Sequence, residues 1–188
     1  MKEETYEQRR ERRFRSFERR YSDIDFKINP PVLDVGGGDG LFLEFMKIKD
    51  ADILGFTDVK NKNYNYIHVD LSKKLPTLKK YKTIFLLQIL EHLNNPLYLL
   101  AQIHDILDEN GNCYISIPYT ELLNKKKREE KWSAGEWDVG HVSRWTLKEI
   151  INQTKKLGFN PQILTTRRRF KGLAFWLPHC WIVLKITK

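Results

Sequence analysis

The sequence predicts an α/β fold in which a mainly parallel sheet is covered on both faces. Three observations predict it. Short apolar runs alternate with segments of helical spacing from Val32 onward. Glycine, proline or asparagine marks many of the turns between them, and that alternation is the signature of strand–helix–strand units. The length of 188 residues suits one domain of ordinary size, with a core large enough to need no cross-links.

The elements follow in chain order. Residues 1–20 carry eight Lys or Arg and five Glu, with no Gly or Pro, and read as a mostly solvated helix with Tyr6, Phe14 and Phe17 as anchors. Asn29-Pro30-Pro31 ends that region. Residues 1–29 are therefore a charged N-terminal helical segment, and 30–188 are a single domain. Val32 to Val35 is a buried strand entering a tight turn, and 41–49 have helical spacing. Strands are expected at 51–56, 66–69 and 83–87. Pro96 opens a helix reaching Leu107, which Asn110-Gly111 stops, and Asn112 to Ile117 is the fifth strand. Residues 118–140 are a charged loop region. Thr146 caps a helix to Leu157, with Glu149 completing a capping box and Gly158 as the stop. Strands at 161–166 and 181–187 have no ordinary helix between them, which suits an antiparallel pair.

Composition narrows the setting. Apolar residues are 41% and charged residues 30%, a balance that excludes a disordered tail. No run of about 20 apolar residues occurs, so no transmembrane helix is expected. The N-terminus has no apolar stretch of signal-peptide type. Cys113 and Cys180 are too few for a disulfide framework, so an intracellular, cytoplasmic setting is expected. The net charge of +9 admits a nucleic-acid, lipid or acidic partner without selecting one.

The densest motif is Asp34-Val35-Gly36-Gly37-Gly38-Asp39-Gly40. It follows a strand and opens a helix. Glycines there permit positive φ and close approach of a ligand to the backbone. The spacing is G-x-G-x-G, which is neither the dinucleotide fingerprint nor the P-loop. Two more stretches join it: Tyr81 to Pro118, with Leu90-Glu91-His92-Leu93 inside it, and Gly140 to Phe159.

Together, Val32–Gly40 and these two stretches resemble the class I S-adenosylmethionine-dependent methyltransferases over roughly residues 30–187. The broad group that includes the ubiquinone-biosynthesis methyltransferases is the nearest in flavour. The resemblance implies a doubly wound, Rossmann-like methyltransferase sandwich of seven strands, the last one antiparallel, with S-adenosylmethionine as cofactor. It places Gly36 and Gly38 under the methionine part, Gly40 at a close helix contact, and Asp34 near the methionine amino group. Asp70 would accept from the adenine amino group, Leu71 would offer its backbone N–H to the ring, and Gln88 would lie beside the methyl donor. One position departs from the pattern. The acid that bridges the ribose hydroxyls aligns with Thr57, and Asp58 follows one residue late. Asp58 is expected to serve from the start of the loop, although a one-residue slip in a strand changes the face.

Methyl transfer from a sulfonium needs alignment and exclusion of water more than one fixed catalytic group. His92 and His141 are the catalytic candidates, with Glu91, Arg144 and Trp145 beside them. His92 reads either as a base or as a residue fixing its turn. The segment is also similar to the small-RNA 3′-terminal 2′-O-methyltransferases, which hold a metal with a Glu-x-x-Glu-His cluster and a later His. Gln88 stands at the first Glu position, and an amide is a poor ligand for a hard cation. Glu91, His92 and His141 could still converge, but no metal is expected. The acceptor is read as a small molecule methylated on oxygen or nitrogen. The alternatives are an RNA methyltransferase, or a degenerate fold that binds a partner without turnover. Basic clusters at 125–128 and 167–171 would meet RNA or an anionic membrane surface, or would cover the sheet edge. The oligomeric state is not legible.

Overall fold

The computed structural model describes residues 5–57, 61–119, 141–143, 145–165 and 180–188. Asp58, Arg144 and the basic clusters at 125–128 and 167–171 lie outside them. Among the described residues, a seven-stranded sheet runs in the order β3-β2-β1-β4-β5-β7-β6. Its strands are β1 (Val32–Val35), β2 (Asp52–Gly55), β3 (Asn65–His68), β4 (Tyr81–Leu87), β5 (Leu107–Tyr119), β6 (Asn160–Thr165) and β7 (Cys180–Thr187). Strands β1 to β5 pair in parallel, and β7 is antiparallel to both β5 and β6. The doubly wound α/β sandwich with an antiparallel last strand is thus the observed fold.

Among the described residues, four α-helices flank the sheet: α1 (Tyr6–Tyr21), α2 (Leu41–Phe45), α3 (Pro96–Ile106) and α4 (Leu147–Lys156). One core holds Leu99, Leu100 and Ile103 of α3 and Ile150 of α4 against Leu33, Ile84 and Ile115. The other holds Phe17 and Tyr21 of α1 and Leu41 to Leu43 of α2 against Ile53, Phe85 and Tyr114. These two cores are the covered faces. In the second, Phe26 and Phe42 meet Tyr114 and Phe85 edge to face at 4.9 and 5.0 Å between ring centroids. Such aromatic pairs contribute about 0.5–1.5 kcal/mol each beyond their burial. The Phe42 pair fixes α2, and therefore the glycine loop that leads into it, and Phe17 and Tyr21 of α1 pack edge to face on the same Phe42 ring.

Local chemistry sets the helix ends. Thr146 accepts from the Glu149 backbone N–H while the Glu149 carboxylate accepts from the Thr146 N–H, the expected capping box. Thr5 and Gln8 form a second one at α1. Asn95 caps α3, with Pro96 in its first turn. The helix expected over 41–49 stops at Phe45, because Lys47 takes a left-handed φ of 58° that no helix interior allows. Strand β5 begins earlier than expected, since Leu107 pairs with Tyr81 before an irregularity in the register. Tyr6 is 48% exposed, while Phe17 is buried and Phe14 packs against it. Among the described residues, no helix is long and apolar enough to cross a membrane.

Candidate active site

In an open sheet of this winding, ligands bind beyond the C-terminal ends of the strands where the strand order reverses. Here that point lies between β1 and β4, because the chain runs from β1 outward through β2 and β3, then returns to β4 on the other side of β1. Two groups of residues meet at this edge.

The first is the glycine loop after β1. Gly36, Gly38 and Gly40 have φ of 74°, 57° and 77°, values that L side chains adopt at a cost. The Gly36 N–H donates to the Leu54 carbonyl at 2.7 Å, tying the loop to β2. A Cβ at Gly36 would lie 2.7 Å from Ile89 Cδ1, whereas a Cβ at Gly38 would have no atom within 4 Å. Asp34 lies beneath the loop at 2% exposure, and its Oδ2 has no hydrogen-bond partner among the described residues. Burial raises the Asp34 carboxyl to about 7, opposed by the positive charge of Arg13. Helix α1 reaches the same loop, with the Arg9 guanidinium 3.2 Å from the buried Asp39 Oδ2. That contact is an ion pair by distance, without the alignment of a hydrogen bond.

The second group follows β4. Gln88 takes φ 59°, a strained conformation for a non-glycine residue. Its backbone N–H donates to the Ser116 carbonyl and its Nε2 to Ser116 Oγ, both at 2.8 Å. The buried Tyr21 hydroxyl also donates to Ser116 Oγ, at 3.2 Å. Burial pushes the Tyr21 hydroxyl up, and the nearby Glu91 charge adds to that. A 3₁₀ turn, Leu90–His92, comes next. Glu91 is 2% exposed. The N–H groups of Val142 and Ser143 donate to the Glu91 carbonyl at 2.8 and 3.0 Å, and the Ser143 hydroxyl donates to the Leu90 carbonyl at 3.0 Å. This clamp brings His141 beside His92, with ring centroids 4.7 Å apart. One donor atom each from Glu91, His92 and His141 lie within 4.8 Å of one another.

The other expected residues fall as follows. Asp70 is exposed, and its carboxylate accepts from the Ser72 N–H at 3.0 Å and the Ser72 hydroxyl at 2.6 Å. Those bonds hold it below the usual carboxylate range. Leu71 is buried. The Val69 N–H donates to the Gly55 carbonyl, which sets this turn beside the end of β2. Thr57 is half-buried, and Asp58, the expected ribose partner, lies outside the described residues. Trp145 sits in the core and not at the cleft.

Reading the sequence missed Tyr21 and Ser116. Tyr21 extends the apolar row Phe14, Phe17, Tyr21 at spacings of three and four, the face of a helix that packs inward. That spacing was the available signal for Tyr21. Ser116, alternating inside an apolar strand, gives none.

A family model for a methyltransferase domain matches residues 6–162. Among curated proteins, no match is found. Several solved structures share the fold. An S-adenosylmethionine-dependent methyltransferase from Archaeoglobus fulgidus is 18% identical with a TM-score of 0.65, and the match covers 95% of this chain and 94% of that one. The methyltransferase partner in a complex with the Trm112 activator from Haloferax volcanii is 13% identical with a TM-score of 0.65, over 93% and 92%. An S-adenosylmethionine-dependent methyltransferase from Thermotoga maritima, a possible histamine N-methyltransferase, is 13% identical with a TM-score of 0.62, over 84% and 81%.

Proposed function

Since the chain belongs to the methyltransferase-domain family, we propose that it transfers the methyl group of S-adenosylmethionine to an oxygen or nitrogen of a small-molecule acceptor. One observation carries this reading. A left-handed glycine loop with open space at Gly38 and a buried, unpartnered Asp34 oxygen stands at the same strand edge as the Glu91, His92 and His141 cluster.

The residues fit the cofactor. An additional group can pass close over Gly38, where nothing fills the space of a side chain. The Asp34 carboxylate, short of a partner, suits the ammonium of the cofactor's methionine end. Gly36 and Gly40 shape the turn. Asp70 and the Leu71 N–H take the adenine edge, and Asp58 takes the ribose. S-adenosylmethionine, when bound, supplies an already activated methyl group on a sulfonium.

What remains for the protein is alignment and the acceptor's proton. Gln88 flanks the reacting edge, its amide nitrogen committed to Ser116. His92 and His141 handle the acceptor's proton, with the buried Glu91 beside them. The Thermotoga structure with a possible histamine acceptor supports a small acceptor by likeness of fold.

Acceptor class is tested by incubating the full chain with tritium-methyl S-adenosylmethionine and, separately, metabolite extract and total RNA. Label is expected in the low-molecular-weight fraction and lost on His92→Ala. Label in RNA would replace the small-molecule reading. Cofactor binding without label in either pool would favour a binding module.

A further inference from the structure

We infer that Tyr21 is a positioning residue for the methyl donor: through Ser116 it holds Gln88 in its left-handed conformation at the β1–β4 edge. The inference deepens the reading above and rests on it for what lies beside Gln88. Three side chains from distant parts of the chain carry it. The Tyr21 hydroxyl donates to Ser116 Oγ at 3.2 Å, and Gln88 Nε2 donates to the same oxygen at 2.8 Å.

Gln88 needs such a hold. A non-glycine residue keeps a φ of 59° only where its surroundings over-determine it. Ser116 restrains Gln88 twice: its carbonyl accepts from the Gln88 backbone N–H and its hydroxyl oxygen from the Gln88 side chain, each at 2.8 Å. Ser116 is itself buried in β5, where it pairs with Leu87 on one side and Val183 on the other. The sheet therefore fixes its backbone, and only the hydroxyl can turn. A serine oxygen offers two lone pairs, and Tyr21 and Gln88 take one each. Without the Tyr21 donor the Ser116 hydroxyl is free to rotate, and Gln88 loses a fixed acceptor.

The ring of Tyr21 would pack as well without its hydroxyl. It is buried against the rings of Phe17, Phe26 and Phe42, a place that phenylalanine would fill. A hydroxyl buried among rings costs free energy unless it is bonded, and the bond to Ser116 is what this one gains. The Arg20 side chain bonds the same hydroxyl. A guanidinium can only donate, so that contact leaves the Tyr21 proton for Ser116. Burial pushes the Tyr21 hydroxyl up, and it stays a donor through neutral pH.

Helix α1 thereby touches both halves of the site. In its first turns, Arg9 stands 3.2 Å from Asp39 of the glycine loop, and Arg10 Nε donates to Glu44 of α2 at 2.8 Å. At its last residue, Tyr21 reaches Gln88 through Ser116. The charged N-terminal segment therefore serves the methyl-donor edge as well as covering the sheet.

The test compares Tyr21→Phe, Ser116→Ala and Tyr114→Phe with the wild type, each as the full chain. Two quantities are measured: calorimetric affinity for S-adenosylmethionine and for S-adenosylhomocysteine, and hydrogen exchange of the Gln88 backbone N–H by nuclear magnetic resonance. The two ligands differ by the methyl group and the positive charge on sulfur, so a displaced Gln88 should weaken the first and spare the second. In Tyr21→Phe, S-adenosylmethionine affinity should fall about fivefold and S-adenosylhomocysteine affinity by less than about twofold. Gln88 exchange should quicken about tenfold, while the Gly36 N–H, bonded to the Leu54 carbonyl, keeps its rate. Ser116→Ala should show the same losses, and the double variant no more than Ser116→Ala alone. Tyr114→Phe removes another hydroxyl from the same core, one bonded to the Lys27 backbone, and should change neither quantity. Unfolding midpoints report whether each variant folds. Wild-type S-adenosylmethionine affinity or wild-type Gln88 exchange in folded Tyr21→Phe would overturn the proposal. Equal losses for both ligands, or the same losses in Tyr114→Phe, would overturn it too. A wild-type chain that binds neither ligand sinks the methyltransferase reading, and the exchange rates still decide whether Tyr21 holds Gln88.

Discussion

Asp34→Asn is expected to stabilise the unliganded protein at pH 8 and to weaken S-adenosylhomocysteine binding about a hundredfold. The stability effect follows from the raised carboxyl. An unfolded Asp titrates near 3.8, and burial moves Asp34 to about 7 in the folded state. Below the lower value both states hold the proton and Asp34 costs nothing. Between the two values the unfolded chain has released a proton that the folded chain keeps, so stability falls as pH rises. Above about 7 the cost is complete, at most about 4 kcal/mol. Asparagine removes the titration and keeps the shape. Urea unfolding midpoints of variant and wild type should converge near pH 4 and separate by pH 8, with the variant higher. The binding effect has the opposite sign, because a charged hydrogen bond to the ligand's ammonium contributes about 1.5–3 kcal/mol. Wild-type affinity should rise from pH 5 to pH 7 as Asp34 ionises, and the variant should show no such rise. Equal affinities would remove Asp34 from the site. Equal midpoints at pH 8 would show that its carboxylate bears no desolvation cost.

Gly38→Ala is expected to separate binding from folding. Its Cβ would meet no atom within 4 Å, so the fold loses only the cost of a left-handed alanine at φ 57°, about 1–2 kcal/mol. The same methyl group occupies the space through which the cofactor would pass, and S-adenosylhomocysteine affinity should drop at least tenfold, by about 1.4 kcal/mol or more. Gly36→Ala provides the contrast. Its φ of 74° carries the same penalty, and its Cβ would also press into Ile89 at 2.7 Å. It should be the less stable of the two by denaturant midpoint, by about 1–3 kcal/mol. A Gly38→Ala chain that binds as well as the wild type would show that the ligand does not cross this loop.

Much of this architecture is legible from local chemistry. Thr146 and Glu149 announce a helix start because a capping box needs only residues three apart. The glycines after Val35 announce a turn because φ near +60° excludes most side chains. What fails to show are features set by contacts between distant parts of the chain. The helix after Gly40 looks longer by spacing than it is, because the left-handed Lys47 breaks it. The Tyr21 bond to Ser116 joins residues 95 apart, and no periodicity encodes that. The meeting of His92 and His141 likewise depends on two backbone N–H groups of 142 and 143 finding the Glu91 carbonyl. Trp145, attractive as an aromatic beside His141, belongs to the core, because the chain turns inward there to begin α4. The motif residues were visible as a list, and the sheet order decides which of them share an edge.

The central claim is that the β1–β4 edge holds S-adenosylmethionine between the glycine loop and the Glu91, His92 and His141 cluster. Isothermal titration of the full chain with S-adenosylhomocysteine at pH 7.5 tests it most directly. One molecule bound per chain, with the heat diminished in both Asp34→Asn and Gly38→Ala, is the predicted result. No binding to the folded wild-type chain, or binding that both substitutions leave unchanged, would contradict it.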